Sequence, residues 1–299
     1  MLTNALKSLL RRPASAPALA RAFTATETVT LGRTGIRTTL LAMGTGSHTK
    51  HGVSRQAALP GEGLDRILGN GYDRGLRFID TADSYGTHAH VRRALRQMDR
   101  AEVTVLTKTM SRDPKEVRRE LDRFRRELGI DAIDILLMHC VVEPDWTERY
   151  KPVMDVLSEL KAQGVIGAHG CSCHSIAALR AAARSPWVEV DLVRLNPIGK
   201  RMDASPQVVS EVIREMRAAG KGVVGMKILA EGALRNRTDE ALRYALGSGL
   251  LDSMTIGAES IAEQNDLIDR IGRIGAEALP REAAAQATLF PDPEPLPHG

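Results

Sequence analysis

Residues 103–139 read VTVLTKTMSRDPKEVRRELDRFRRELGIDAIDILLMH and carry the pattern that decides the fold. Two apolar stretches, 103–108 and 133–139, have the length and composition of buried strands. Between them, Asp113 precedes a proline and Glu116 follows three residues later, which together form a helix start signal. Apolar side chains then recur at helical spacing. The segment therefore predicts a strand–helix–strand unit with parallel strands.

The alternation of strand and helix patterns continues in both directions from this unit. Strands are expected near residues 40–45, 77–80, 103–108, 133–139, 165–171, 190–195, 222–227 and 253–256. Helices are expected near residues 62–75, 88–98, 114–128, 148–163, 175–184, 206–219, 239–247 and 260–273. Such alternation predicts an α/β fold in which parallel strands close into a (β/α)₈ TIM barrel. An open doubly wound sheet is the alternative, but only the fragment Gly44-Thr45-Gly46 represents its glycine fingerprint.

The barrel pattern has extensions at both ends. Residues 28–40, TVTLGRTGIRTTL, predict an N-terminal β-hairpin, so the barrel domain is expected to span residues 27–275. Residues 1–26 contain arginine and lysine but no acid, which is typical of an organelle transit peptide. A twin-arginine export signal and an unprocessed disordered extension stay open as alternatives. Residues 276–299 are expected to form a flexible, proline-rich tail.

Composition narrows the classes of function and location. The formal net charge of +4 is spread along 299 residues, which favours a solvated surface over a nucleic-acid interface. No apolar run approaches the ~18 residues that a membrane-spanning helix needs. The three cysteines do not suit a disulfide framework and indicate a reducing compartment. We therefore expect a cytoplasmic protein without nucleic-acid or membrane partners. If residues 1–26 are a targeting signal, the protein would instead lie in an organelle matrix or be exported. The sequence carries no signature of oligomeric state.

Ionisable side chains stand at the ends of three consecutive predicted strands. Side chains two residues apart lie on the same face of a strand, so Phe78 and Asp80 share one face of the second strand. By the same alternation, Lys108 shares a face with apolar residues of the third strand, and His139 does so on the fourth. Tyr85 follows Asp80 by five residues, in the loop after the second strand. Each residue alone is compatible with packing or capping. Because barrel enzymes carry their chemistry at the C-terminal ends of the strands, the convergence of all four predicts a catalytic site.

These four groups suit the reduction of a carbonyl. The alkoxide formed by hydride transfer needs a proton, and tyrosine, with an ordinary pKa of about 10, donates one poorly at neutral pH. An ammonium at Lys108 should lower the pKa of Tyr85, and a carboxylate at Asp80 should hold that ammonium in place. His139 can hydrogen-bond the carbonyl oxygen. The hydride must come from a cofactor, because no side chain carries one.

The stretch FIDTADSYG at residues 78–86 resembles the signature D-x-A-x-x-Y-G of the aldo-keto reductases. The lysine of LTK (106–108) and the histidine of LLMH (136–139) fall where that family keeps its other catalytic residues. The resemblance covers residues 28–273 and is similar to a bacterial branch of the family. It implies a (β/α)₈ barrel that reduces a small-molecule aldehyde or ketone with NAD(P)H.

The resemblance also assigns roles to individual residues. It implies that Tyr85 is the general acid, that Asp80 and Lys108 adjust the pKa of Tyr85, and that His139 positions the substrate. It places the cofactor against Gly44, Thr45, Asp80, Ser172, Cys173, Asn196, Met226, Lys227, Gly257 and Ser260.

Several cofactor positions depart from the family pattern. Cys173 replaces the asparagine that often follows the serine, and Met226 stands where a tyrosine often stacks on the nicotinamide. Met226 can still pack on that ring as a soft, polarisable side chain. Glu259 stands where an arginine often meets the 2′-phosphate, and a carboxylate repels that group. NADPH is therefore the expected cofactor, with NADH as the alternative.

Two other functions stay open. Soft ligands at the ends of strands 4 and 5 suit zinc, although C-x-C-H is not a familiar structural spacing and we expect no metal. These ligands are Cys140, Cys171, Cys173, His139, His169 and His174. The other alternative is a non-catalytic redox sensor of the same fold that binds nucleotide. The intact set of four catalytic residue types argues against it, and the altered nicotinamide contacts keep it open.

Overall fold

The computed structural model of the chain describes residues 22–289, with side chains described as far as residue 277. The expectations for residues 1–21 and 290–299 lie outside this range. The predicted hairpin is confirmed: strands β1 (Thr28–Thr30) and β2 (Arg37–Thr39) pair antiparallel.

The predicted (β/α)₈ barrel is also confirmed. Its strands pair in parallel in the closed order β10-β3-β4-β5-β6-β7-β8-β9. They are β3 (Leu41–Gly44), β4 (Phe78–Asp80), β5 (Thr104–Thr109), β6 (Ile133–Val141), β7 (Ile166–Cys173), β8 (Val190–Arg194), β9 (Gly222–Met226) and β10 (Ser253–Ile256). The open doubly wound sheet is thereby excluded, because β10 pairs directly with β3.

Helices separate the barrel strands. They are α1 (Gly63–Asp73), α2 (His88–Leu95), α3 (Pro114–Leu128), α4 (Trp146–Arg149), α5 (Lys151–Ala162), α6 (Ile176–Arg184), α7 (Pro206–Ala218), α8 (Thr238–Gly247) and α9 (Ile261–Leu289). Helix α9 begins where expected and continues past the expected end at residue 273. The flexible tail expected from residue 276 is therefore wrong for residues 276–289, which are helical. The start signal of α3 is confirmed, since the carboxylate of Asp113 accepts from the backbone N–H groups of Lys115 at 2.8 Å and Glu116 at 3.0 Å.

The continuous helix expected at residues 148–163 is wrong, because α4 and α5 are separate. Tyr150, between them, has φ −102° and ψ 15°, outside the helical region. Pro152 follows in the first turn of α5. A proline lacks the backbone N–H, and its ring clashes with the carbonyl four residues earlier, so a helix cannot run through this point unbroken.

Two hydrophobic layers position the site. One lies between the strands and the surrounding helices, and the other fills the barrel interior with side chains such as Phe78, Leu106 and Ile135. Leu31 of the hairpin joins the interior layer and packs beside Gly222, the first residue of β9. The hairpin therefore closes the N-terminal end of the barrel and leaves the C-terminal end for a ligand. Among residues 22–289, no helix combines the length and the apolar character needed to cross a membrane.

Candidate active site

The ammonium of Lys108 is the centre of the predicted cluster. It is fully buried near the end of β5 and donates to Oδ1 of Asp80 and, at 2.8 Å, to the carbonyl oxygen of Thr81. Asp80 ends β4, and its Oδ2 also accepts from the hydroxyl of Thr255 at 2.9 Å. Burial by itself lowers the pKa of Lys108, but the Asp80 carboxylate and the other polar neighbours together outweigh burial and raise that pKa above its ordinary value. Lys108 is therefore a charged ammonium at neutral pH.

Tyr85 lies in a short 3₁₀ turn, Asp83–Tyr85, directly after β4. The Nζ atom of Lys108 lies 3.4 Å from the Tyr85 hydroxyl and 4.8 Å from the centre of its ring. Gly86 ends the turn with φ 71°, in the left-handed region that favours glycine. Arg123 on α3 binds both carboxylate oxygens of Asp83, at 2.7 and 3.0 Å. Arg123 therefore anchors the segment that carries Tyr85, a role that the sequence alone did not reveal.

The protonation of Tyr85 differs from the expectation. Burial raises the pKa of Tyr85, and the neighbouring Lys108 ammonium lowers it by less, so the net shift is upward. The expected direction of the Lys108 effect is right, but the expectation of a more acidic phenol is wrong. The hydroxyl is protonated at neutral pH, as it would be with the ordinary pKa of tyrosine.

His139 lies on β6 and meets the ring of Tyr85 edge-on, with the ring centres 5.7 Å apart. Burial, followed by the charge of Lys108, lowers the pKa of His139 to about 2. The imidazole is therefore neutral at neutral pH, and its Nδ1 lies 3.4 Å from the hydroxyl of Ser84. A neutral imidazole can donate one N–H to a carbonyl oxygen without adding a charge to the site.

Gly46, in the loop after β3, lies close to the ring of Tyr85. A Cβ atom at this position would stand 2.2 Å from the ring. An alanine here would push the ring of Tyr85 away by on the order of 1 Å, and a displacement of that size near the reacting atoms can lower turnover about 10²-fold. We therefore expect Gly46→Ala to lower turnover by about 10²-fold. Steady-state turnover is the measurement.

The matched control for this variant is Gly69→Ala in α1, where a Cβ meets no described atom within 4 Å. That variant should keep wild-type turnover and gain up to about 1 kcal/mol in the free energy of unfolding. Unchanged turnover in Gly46→Ala would contradict a positioning role for this glycine.

An open cleft of about 410 Å³ lies beside Tyr85 at the mouth of the barrel. Its volume falls in the range of about 300–1,000 Å³ that is common for cofactor and small-molecule sites. Arg55 and Arg235 line it and offer cationic partners for a diphosphate. These features fit a dinucleotide. The predicted residues that line the cleft are Gly44, Asp80, Tyr85, Met226, Lys227 and Gly257.

Lys227 and Asn196 are both engaged within the protein. Lys227 has φ 59° and donates to Glu231 at 2.9 Å, and Glu231 also accepts from Arg201 at 3.0 Å. The charge of Lys227 is therefore shared with an acid. The buried Asn196 amide donates to the carbonyl oxygens of Lys200 at 2.9 Å and Lys227 at 3.2 Å. Asn196 thus secures the backbone beside the cleft through its side chain.

Three other predicted cofactor positions have structural partners. Both the backbone N–H and the hydroxyl of Thr45 donate to the carbonyl oxygen of Asp80 at 3.0 Å. The Ser172 hydroxyl lies 3.5 Å from Nε2 of His174, which is at the barrel mouth. Cys173 instead packs in the outer layer, between the strands and the helices. Adjacent residues of a strand lie on opposite faces, so Ser172 and Cys173 of β7 cannot both face the cofactor. The sequence alone could have excluded Cys173 for this reason.

Carboxylates gather at the start of α9. The backbone N–H of Glu259 donates to Glu263 at 2.8 Å, and the Ser260 hydroxyl accepts from the backbone N–H of Glu263 at 3.1 Å. Arg55 donates to Glu259 at 3.2 Å. Glu259, Glu263 and Asp266 all line this end of the cleft. Their negative charge disfavours any additional anionic group bound there.

The cysteines and histidines considered for zinc do not form one rim site, so that hypothesis is wrong as stated. Cys140 lies at the mouth, with its sulfur 3.8 Å from Nε2 of His174. Cys171 and Cys173 are buried in the outer layer with their sulfurs 3.6 Å apart. His169 stacks on a tryptophan ring with the ring centres 4.4 Å apart. Burial raises the pKa of Cys171 to about 11, so its thiol is protonated at neutral pH.

Comparison with known proteins places the chain in a family. The Aldo/keto reductase family matches residues 41–277 of the chain. The NADH-specific methylglyoxal reductase of Escherichia coli (strain K12) is 29% identical over 170 residues, which span 49% of this chain and 50% of that protein. The match to this curated relative thus covers about half of the relative's length.

Solved structures share the fold. The Pseudomonas aeruginosa protein PA4992, assigned as an aldo-keto reductase, has a TM-score of 0.70 and 21% identity, over 84% of this chain and 97% of that chain. The holo form of aldo-keto reductase AKR11C1 from Bacillus halodurans has a TM-score of 0.66 and 16% identity, over 85% of this chain and 96% of that chain. Because this family match spans most of its length, the chain belongs to the aldo/keto reductase family.

Proposed function

We propose that this protein reduces the carbonyl of an aldehyde or ketone to an alcohol, with a nicotinamide dinucleotide as hydride donor and Tyr85 as general acid. The supporting observation is the contact of 3.4 Å between the Tyr85 hydroxyl and the Lys108 ammonium, beside a cleft that fits a dinucleotide. When bound, the dinucleotide supplies the hydride. The similarity to a methylglyoxal reductase adds support for a carbonyl substrate.

The roles of the four side chains follow from their charge and burial. Tyr85 holds its proton at neutral pH, since the ordinary pKa of tyrosine is about 10 and burial raises it further, and it donates that proton to the carbonyl oxygen as negative charge develops there. Lys108, held by Asp80, stabilises the phenolate that Tyr85 becomes. Neutral His139 donates a hydrogen bond to the same carbonyl oxygen and orients it.

We further propose that the carboxylates at the start of α9 favour NADH over NADPH. The 2′-phosphate of NADPH adds negative charge, and Glu259 and Glu263 already line that end of the cleft. We expect Glu259→Gln to raise the ratio of kcat/KM for NADPH to that for NADH by about tenfold, or about 1.4 kcal/mol. Steady-state kinetics with each coenzyme measure the ratio.

Glu211→Gln is the matched control, because Glu211 is an exposed acid on α7. It removes the same charge from the protein as a whole and should leave the coenzyme ratio unchanged. An equal change in both variants would trace the effect to net charge. An unchanged ratio in Glu259→Gln would remove Glu259 from coenzyme selection.

The proposed function is tested with purified protein, NADH or NADPH, and a panel of aldehydes, ketones and dicarbonyls. The expected result is a loss of nicotinamide absorbance that depends on the carbonyl, with the alcohol recovered as product. Tight nucleotide binding without turnover on any carbonyl would contradict the proposal and favour the redox-sensor alternative.

A further inference from the structure

Three side chains that the proposed reaction does not use meet in the outer layer of the barrel. Cys171 and Cys173 lie on the same face of β7, and Asp191 on β8 is the register partner of Cys171. All three are fully buried. This S₂O cluster, defined as Cys171, Cys173 and Asp191, lies on the opposite face of the strands from Lys108 and His139.

The distances within the S₂O cluster match one face of a tetrahedral zinc site. The two sulfurs are 3.6 Å apart, and Oδ2 of Asp191 lies 3.5 Å from the sulfur of Cys171 and 3.8 Å from that of Cys173. With Zn–S bonds of about 2.3 Å, Zn–O bonds of about 2.1 Å and tetrahedral angles, two thiolates lie about 3.8 Å apart and a thiolate and an oxygen about 3.6 Å apart. The side chains are thus already spaced as ligands of one ion.

The hydrogen bonding of the Asp191 carboxylate is incomplete. The other carboxylate oxygen of Asp191, Oδ1, is buried and has no hydrogen-bond partner among the described residues. An unpaired carboxylate oxygen in the interior is costly, and carboxylates that are buried are usually paired or bound to a metal. A cation bound through Oδ2, which faces both sulfurs, would compensate the negative charge of this buried carboxylate.

We propose that Cys171, Cys173 and Asp191 bind a thiophilic divalent cation of the zinc class. Two thiolates and one carboxylate select such an ion over magnesium or calcium, which prefer oxygen ligands. Binding displaces the protons of both thiols, which become thiolates. Because the ligands come from β7 and β8, the ion cross-links two neighbouring strands and stabilises the fold by mass action.

The test uses the full chain, reduced with a phosphine and freed of metal with a chelator. Zn²⁺, Cd²⁺ and Mg²⁺ are added separately, during refolding as well as to the folded protein, because the cluster is buried. The expected result is one Zn²⁺ or Cd²⁺ ion per chain by elemental analysis after gel filtration, with a thiolate-to-cadmium charge-transfer band. The Tm should rise with Zn²⁺ or Cd²⁺ and stay unchanged with Mg²⁺.

Substitutions assign the ligands. Cys171→Ser and Asp191→Asn should each weaken binding by at least about 10²-fold, more than the loss of an outer-shell partner commonly causes. Cys140→Ser is the matched control, because it removes the remaining cysteine of the chain and should leave binding unchanged. Wild-type binding in Cys171→Ser, or loss of binding in Cys140→Ser, would overturn the assignment.

A measurement on the wild-type chain keeps the proposal falsifiable if a variant does not fold. Alkylation of the thiols, mapped by mass spectrometry, should be slowed by Zn²⁺ at Cys171 and Cys173 but not at Cys140. Equal alkylation with and without Zn²⁺, or the absence of bound ion in the wild type, would refute the proposal. Neither result depends on reductase activity, so failure here is distinguishable from failure of the proposed function.

Discussion

Tyr85→Phe is expected to lower turnover by about 10²–10⁴-fold, the usual contribution of a positioned general acid. The change removes only the hydroxyl that lies 3.4 Å from the Lys108 ammonium and keeps the ring that packs against His139. Binding of the dinucleotide should change little, because the ring still forms its part of the cleft wall. Turnover is followed by nicotinamide absorbance and nucleotide affinity by fluorescence titration.

Tyr244→Phe is the matched control, since Tyr244 lies on α8 and packs against the outer hydrophobic layer. It should retain wild-type turnover. Wild-type rates in Tyr85→Phe would refute the general-acid role, whereas a parallel loss of nucleotide affinity would show that the hydroxyl also contributes to binding.

Lys108→Met is expected to lower the free energy of unfolding by about 3–5 kcal/mol, because it leaves the Asp80 carboxylate buried without its cation. Lys108 is fully buried and Asp80 is 4% exposed, so water can only partly replace the lost partner. Turnover should fall as well, since no ammonium remains to stabilise a phenolate at Tyr85. Chemical denaturation gives the stability, and nicotinamide absorbance gives the rate.

A double variant separates the charge from the packing. Asp80→Asn combined with Lys108→Met removes both charges and should be more stable than Lys108→Met alone, since a buried pair replaced by neutral groups commonly costs little. Lys151→Met is the control, because Lys151 forms an exposed pair with Asp155 at 2.7 Å on α5 and should change stability by less than about 1 kcal/mol. Wild-type stability in Lys108→Met would contradict the buried pair.

The fold was predictable where local patterns repeat. Strand and helix signals alternate along the chain, and the start signal at Asp113 places the beginning of α3 correctly. The break at Tyr150 between α4 and α5 was missed because apolar spacing continues through it, although Pro152 was a visible warning. Whether a segment forms a helix or a strand was therefore more predictable than whether a helix runs unbroken.

The sequence predicted which residues of the candidate site lie on the same rim of the barrel. Asp80, Lys108 and His139 share the C-terminal rim because parallel strands end at the same edge of a barrel. The close contact of Gly46 with Tyr85 was not predictable, since it joins two loops that are distant in sequence. The same holds for the Arg123–Asp83 pair, which joins a helix to a turn.

The (β/α)₈ barrel and the face on which each strand residue stands could be inferred from the sequence alone. These properties follow from backbone periodicity, which each segment expresses locally. The direction in which the pKa of Tyr85 shifts, and the meeting of Cys171, Cys173 and Asp191, became visible only in the folded chain. Burial, electrostatic balance and distances between neighbouring strands arise when distant segments pack together, so no single stretch of the chain contains them.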